Sequence, residues 1–110
     1  MRKTNIQPYR LEWKQAYLEE EQLLKEIFNK EIIEIFHIGS TSVAAILYAK
    51  PIIDILIEVK DINNVEQKNQ VMQQNGYLVK GENGISGRRY FSKGCGNTRT
   101  HHIHIYETGN

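Results

Sequence analysis

Cysteine, net charge and long apolar runs are all scarce in this chain of 110 residues, and each shortage excludes a class of protein. A single cysteine, Cys95, excludes an internal disulfide framework. The formal net charge of +1 gives no overall attraction to nucleic acids or acidic membranes. Because there is neither a run of 18 apolar residues nor a signal-peptide core, we expect a soluble cytoplasmic protein without a membrane partner.

The length and the residue balance indicate one globular domain. Apolar residues make up 40% of the chain and charged residues 25%, as in ordinary globular proteins. A chain of 110 residues builds one modest core and is too short for two. We therefore expect a single domain over residues 1–110.

Two segments have the apolar spacing of helices, residues 9–29 and residues 64–75. The first contains the acidic run 19–21. Because adjacent helical residues point in different directions, we interpret this run as a solvent-facing surface rather than a metal site. Asn63 and Glu66 have the spacing of a capping box at the start of the second helix.

Five segments are rich in β-branched and aromatic residues and are predicted strands. They are residues 32–38, 51–59, 77–79, 88–92 and 100–106. A short helix through residue 47 or 48 is expected between the first two strands. This mixture of helices and strands predicts an α/β or α+β domain.

Asp54 is the residue that most needs an explanation, because it lies within the apolar run 52–57. A buried carboxylate requires a cation, a hydrogen-bond network or a water-filled cleft. The strand before it ends in a Gly-Ser turn, whose backbone N–H groups suit a phosphate, although such a turn is commonly only a helix cap. A turn that holds phosphate and an acid that holds metal predict a phosphate site. The turn residues are Gly39, Ser40, Thr41 and Ser42.

Strand alternation places Asp54, His102 and His104 on one face of the sheet if the aliphatic faces pack under helices. One carboxylate and two imidazoles suit a divalent transition metal. Two alternatives remain open. The histidines can be a half-solvated or hydrogen-bonded pair, and Asp54 can be neutralised by an arginine. The arginines available for this are Arg88, Arg89 and Arg99.

Basic residues lie close to this site in the sequence. Arg88 and Arg89 occupy opposite faces of one predicted strand, so one of them should face Asp54. A guanidinium binds phosphate oxygens in a fork, which suits a triphosphate. The alternative is an ion-pair network or a charged edge strand. Lys50, just before the Asp54 strand, carries the same two interpretations.

Seven blocks of the sequence, in order, resemble the GrpB family over almost the whole chain. The blocks are His37-Ile-Gly-Ser-Thr-Ser-Val43, Ala49-Lys-Pro-Ile-Ile-Asp-Ile-Leu-Ile-Glu-Val59, Gly76-Tyr77, Lys80-Gly-Glu-Asn-Gly-Ile85, Gly87-Arg-Arg-Tyr-Phe91, Lys93-Gly94 and Arg99-Thr-His-His-Ile-His-Ile-Tyr-Glu107. That family resembles a branch of the nucleotidyltransferase superfamily. The resemblance implies a small mixed sheet with helices mainly on one face.

The resemblance also implies roles for the candidate residues in transfer of a nucleotidyl group from a nucleoside triphosphate. Asp54 would be a metal carboxylate, with magnesium or manganese as the expected metal and zinc as the alternative. The transition-state charge would be steadied by Arg89. Nucleotide phosphates would be bound by Gly39, Ser40, Thr41, Ser42, Lys50 and Arg88. The expected partner is therefore a nucleotide or another phosphorylated small molecule.

Three departures from the family pattern open alternatives. Ile52 occupies the position of the superfamily's first acid, and residues 44–49 replace a Pro-Gly turn with a segment that is one residue longer. The chain also stops at Asn110, before the helices that usually follow, so exposed sheet surface predicts a homodimer. The alternatives are a non-catalytic module for a nucleotide or phosphometabolite and a structural subunit of an oligomer.

Overall fold

The computed structural model describes residues 7–8, 11–39, 48–49, 52–94 and 99–109. The strands are β1 (Gln7–Pro8), β2 (Ile32–Ile38), β3 (Tyr48–Ala49), β4 (Ile53–Val59), β5 (Tyr77–Val79), β6 (Arg89–Lys93) and β7 (His101–Glu107). The helices are α1 (Leu11–Phe28), α2 (Ile62–Val65) and α3 (Asn69–Gln74), with 3-10 turns at Asn29–Glu31 and Glu66–Lys68. Within the described ranges, none of these helices is long and apolar enough to cross a membrane.

Five strands form one mixed sheet in the order β2-β4-β7-β6-β5. The central pair β4 and β7 is parallel, and the other pairs are antiparallel. The short strands β1 and β3 pair with each other separately. The predicted α+β class and the small mixed sheet are confirmed, and all five predicted strands of the main sheet form within two residues of their expected bounds.

The helices cover one face of the sheet, as expected. Helix α1 contacts β2 and β4, and α3 packs beside β5. The core between them consists of residues that are at most 8% exposed. They are Trp13, Tyr17, Leu24, Ile27, Phe28, Ile53, Ile55, Ile57, Val59, Val65, Met72, Tyr77, Phe91, Ile103 and Ile105. Strict alternation along β4, with every second residue buried, leaves the intervening side chains on the other face.

Two expectations for the helices are wrong in detail. The predicted helix 64–75 is instead α2, a 3-10 turn and α3 in succession. Asp61 rather than Asn63 caps it, because the Asp61 carboxylate accepts the backbone N–H of Asn63 at 2.9 Å. In α1, Glu20 is only 7% exposed, so the acidic run is not wholly a solvent-facing surface.

The face of the sheet opposite the helices carries two rows of side chains, because paired residues on neighbouring strands point the same way. We call this the open face. The first row, from β2 to β5, is Ile38, Asp54, His102, Ser92 and Leu78. The second row, from β2 to β6, is Phe36, Leu56, His104 and Tyr90. Phe36 and Leu78, at the outer ends of these rows, are 44% and 45% exposed.

Candidate functional site

Asp54, His102 and His104 converge on the open face. The Asp54 Oδ1 atom lies 3.3 Å from His102 Nδ1 and 3.8 Å from His104 Nε2. Asp54 and His102 are direct partners in the parallel β4–β7 pair, and His104 follows two residues later on the same face. The geometric part of the prediction is thus confirmed, whereas a metal-binding or catalytic role for the three residues stays a prediction.

The two histidines set the charge state of Asp54. Burial alone would raise the pKa of this carboxyl group, but hydrogen bonds from His102 and His104 and their charges outweigh burial. Together they hold the pKa of Asp54 at about 2. Asp54 is therefore a carboxylate at any physiological pH, and its ion-pair partners are histidines rather than arginines.

Arg88 is the arginine that faces this cluster. Its Nη1 atom lies 3.4 Å from His104 Nδ1, and its guanidinium carbon lies 4.8 Å from the centre of the Tyr90 ring. Arg88 is only 7% exposed. Backbone carbonyls of the preceding turn fix it, since Nη2 donates to Asn83 O at 2.8 Å and Nε donates to Glu82 O at 3.2 Å. The cation is thus held rigidly behind His104.

Arg89, the predicted catalytic arginine, lies on the helix-covered face of the sheet because strand alternation sends it away from Arg88. It donates to Glu66 Oε1 from Nε at 3.0 Å and from Nη2 at 2.6 Å, and it lies 3.9 Å from Glu82 Oε2. It also lines a separate cavity of about 230 Å³. The structure therefore does not bring Arg89 to Asp54, and Arg88 takes the position expected for it.

Gly39 joins the Gly-Ser turn to the Asp54 cluster. Its φ of +76° lies in the left-handed region, which side chains disfavour. A Cβ atom built on Gly39 would lie 2.7 Å from Asp54 Oδ2, so only glycine lets the turn approach the carboxylate this closely. Apart from Gly39 and Arg88, the predicted phosphate ligands lie outside the described residues. They are Ser40, Thr41, Ser42 and Lys50.

Tyr90 lies near the cluster and was not among the site residues predicted from the sequence. The Tyr90 ring lies 5.0 Å from the His104 ring and 5.7 Å from the His102 ring. Burial raises the pKa of Tyr90, the charges of Arg99 and Arg88 lower it, and Asp54 raises it, so these charges surround the phenol. The only available signal was the position of Tyr90 two residues after Arg88 on one strand, which required the register of β6.

Some polar atoms beside the cluster have no hydrogen-bond partner among the described residues. They are Ser92 Oγ, Arg99 Nε and His102 Nε2, and each is enclosed. Ser92 is the direct strand partner of His102. Buried polar groups in native proteins are almost always satisfied by protein, water or a ligand. Two of these unsatisfied atoms, Ser92 Oγ and His102 Nε2, belong to the row of side chains that contains Asp54.

The contacts of His104 bear on the predicted three-ligand metal shell, which stays a prediction. Among the residues that the structure describes, no group of three or more His, Cys, Asp and Glu side chains is arranged to hold a metal ion. Both ring nitrogens of His104 already face a partner, Arg88 on one side and Asp54 on the other. Magnesium in addition prefers an oxygen shell, to which this cluster contributes one carboxylate.

Comparison with known proteins places these features in a family. The GrpB protein family model matches residues 3–110. UPF0157 protein YqkA of Bacillus subtilis is 56% identical over 109 residues, covering 99% of this chain and 31% of that protein. Glutamate-rich protein GrpB of Alkalihalophilus pseudofirmus is 34% identical over 99 residues, covering 86% of this chain and 56% of that protein.

A solved structure has the same fold. The crystal structure of conserved protein GrpB from Enterococcus faecalis superimposes with a TM-score of 0.90 at 44% identity. The match covers 96% of this chain and 62% of that one. The chain thus spans about a third of the Bacillus relative and over half of the other two proteins. Together with the family match, this shows that the chain belongs to the GrpB family.

Proposed function

We propose that the open face binds a nucleotide or another phosphorylated small molecule beside Asp54. The observation that carries this proposal is the convergence of the Asp54–His102–His104 cluster with Gly39, whose backbone lies against the Asp54 carboxylate. A Gly-Ser turn that follows Gly39 would offer backbone N–H groups to a phosphate, and imidazole and guanidinium groups near the strands would add donors. Anion-binding groups would then come from two separate parts of the chain.

The charge of the cluster supports an anionic ligand. The charges of Arg88 and Arg99 both act on Tyr90, and the two histidines already engage the Asp54 carboxylate. Donor atoms of Arg99 and Ser92 have no partner within the described part of the chain. A phosphate oxygen would satisfy such donors and balance the excess of cationic groups.

Nucleotidyl transfer is the enzymatic form of this proposal, and it follows from the resemblance to nucleotidyltransferases. Ile52 at the position of the first acid favours the second candidate, a module that binds the same ligand without chemistry, because two-metal phosphoryl transfer relies on several carboxylates. The dependence on magnesium, manganese or zinc is tested together with binding. Formation of product from nucleoside triphosphates separates the enzyme from the module.

Calorimetric titration with ATP, in the presence and absence of each metal, tests the proposal. We expect binding by the parent protein and affinity at least about tenfold lower in Asp54→Asn, because the substitution removes the charge that organises both histidines. Asp61→Asn is the matched control, since asparagine also caps a helix and Asp61 is remote from the cluster. Equal affinity for parent and Asp54→Asn would place any nucleotide site elsewhere.

A further inference from the structure

The contact between Arg88 and His104 determines which atoms of the cluster can bind a cation. A guanidinium has five N–H groups and no acceptor, and it stays protonated in proteins. The Nη1 group of Arg88 faces His104 Nδ1 at 3.4 Å, so this ring nitrogen must supply the lone pair. In neutral His104 the proton is then on Nε2, which is the atom that faces Asp54 Oδ1 at 3.8 Å.

This tautomer conflicts with metal binding by His104. A histidine binds a metal through an unprotonated ring nitrogen, and the hydrogen bond of the other nitrogen sets which one that is. Ligation through Nε2 would move the proton to Nδ1, where it would point at an N–H group of Arg88. Ligation through Nδ1 would require Arg88 to leave its place. Either route breaks an arrangement that the structure holds firmly.

The Arg88 side chain is held in a fixed position by its contacts. Each of its three nitrogens has a partner. Nε and Nη2 donate to backbone carbonyls of the turn that precedes β6, and Nη1 faces His104 Nδ1. The guanidinium also lies over the Tyr90 ring, and the residue is 7% exposed. From this fixed position the guanidinium occupies the lone pair of His104 Nδ1.

We infer that Arg88 is a positioning residue that fixes the His104 tautomer, so that His104 serves as a hydrogen-bond donor to Asp54 and is withheld from metal ligation. Within the cluster, His102 Nε2 is then the imidazole nitrogen without a hydrogen-bond partner among the described residues, and it is enclosed. The inference concerns metal selectivity and does not depend on whether the natural ligand is a nucleotide.

The tautomer is measured directly in the unmodified protein by long-range ¹H–¹⁵N correlation of the histidine rings. We expect neutral His104 to be protonated at Nε2 and unprotonated at Nδ1. A spectrum that shows the Nδ1-protonated form as the main one would overturn the inference. Because this measurement needs no substitution, it decides the question even if variants of Arg88 fold poorly.

Titration with zinc ion alone tests the consequence. Arg88→Met removes the guanidinium and frees His104, and we expect zinc affinity to rise by about tenfold to a hundredfold, the range for changes in a metal ligand's partner. Arg99→Met is the control for charge, since it removes a cation near Tyr90 without releasing His104. It should raise zinc affinity less.

A double variant identifies the ligand that is gained. Arg88→Met combined with His104→Ala should return zinc affinity to that of Arg99→Met or below, because the new ligand has been removed. If Arg88→Met binds zinc no better than Arg99→Met, or if the gain survives the loss of His104, the inference is wrong. In either case ATP binding to the parent protein still reports separately on the proposed function.

Discussion

Glu20 and Asp54 each gather basic partners from the strands, but they lie on opposite faces of the sheet. Alternation along β7 sends His101 to Glu20, at 3.7 Å, and its neighbour His102 to Asp54, at 3.3 Å. Around Glu20 the Tyr77 hydroxyl group donates to the carboxylate, and Lys93 Nζ lies at 2.7 Å. Strand β7 therefore contributes one histidine to each of the two carboxylate clusters.

The two clusters differ in the exposure of the carboxylate and in the number of neighbouring polar atoms without a partner. The Glu20 side chain, which belongs to α1, is 10% exposed, and Lys93 Nζ also lies over the Tyr77 ring at 4.7 Å. The Asp54 side chain is 29% exposed, and enclosed polar atoms beside it have no partner among the described residues. Among the described residues, none of the enclosed unsatisfied atoms belongs to the Glu20 cluster, so the Asp54 cluster is the better candidate for a binding site.

Glu20→Gln should have the largest effect on stability. It leaves Lys93 without its carboxylate partner, and we expect the free energy of unfolding to fall by about 3 kcal/mol, the lower end for a broken buried ion pair because Lys93 remains partly exposed. Urea denaturation measures this. Glu19→Gln, on the exposed side of α1, is the control and should change little. A loss below about 0.5 kcal/mol would show that the Glu20 cluster is not structural.

Acid denaturation should isolate the contribution of Asp54 to the pH dependence of stability. Its pKa is lowered on folding to about 2, so its stabilisation is present above the ordinary aspartate value of 3.8 and is lost as the pH falls through about 2. We expect the parent to lose about 2 kcal/mol more than Asp54→Asn between pH 5 and pH 2. Urea midpoints of both proteins across that range provide the measurement. Parallel curves would contradict the pairing with the histidines.

Gly39→Ala should lower the free energy of unfolding less than the changes above. It should weaken ATP binding more than it weakens stability. The left-handed backbone costs roughly 1 kcal/mol for alanine, and the new Cβ would push against Asp54 Oδ2. Gly109→Ala is a close match, since its φ is +79° and no atom lies within 4 Å of its Cβ position. Any loss of stability or ATP affinity beyond that of Gly109→Ala reports the contact with Asp54, and equal effects would refute it.

The smallest effect on monomer stability concerns self-association. We propose that a second copy covers the apolar ends of the open face, where Phe36 and Leu78 are exposed. Phe36→Ser should change the free energy of unfolding by no more than about 0.5 kcal/mol while shifting sedimentation towards the monomer mass. Val71→Ser, a similarly exposed apolar residue on α3, is the control. A parent protein that stays monomeric at high concentration would remove the proposal.

Strand periodicity was sufficient to predict much of the candidate site. The alternation of β4 and β7 put Asp54, His102 and His104 on one face, and the parallel pairing in register brought them together. The choice between Arg88 and Arg89 could not be made, since it depends on the register of β6 against β7. A shift of one residue exchanges the two faces of a strand.

The features that the sequence did not predict depend on contacts between residues far apart in the chain. Nothing local distinguishes Glu20 from Glu19 or Glu21, because its partners Tyr77 and Lys93 lie far along the chain. The break between α2 and α3 also has no strong local signal, and the cap at Asp61 depends on a β-region backbone, with φ −140° and ψ 112°. Such features depend on tertiary context, which overrides local propensity.

The parallel pairing of β4 with β7 has a consequence for folding kinetics. Strands β5, β6 and β7 follow one another in sequence and pair as antiparallel neighbours, and so do β2 and β4 within the main sheet. Only β4–β7 joins these two groups, across a large part of the chain, and distant pairings are slow because loop closure must precede them. The Asp54–His102 contact lies across the β4–β7 pair. A ligand held there would bridge the two halves, slow their separation and lengthen the lifetime of the native protein.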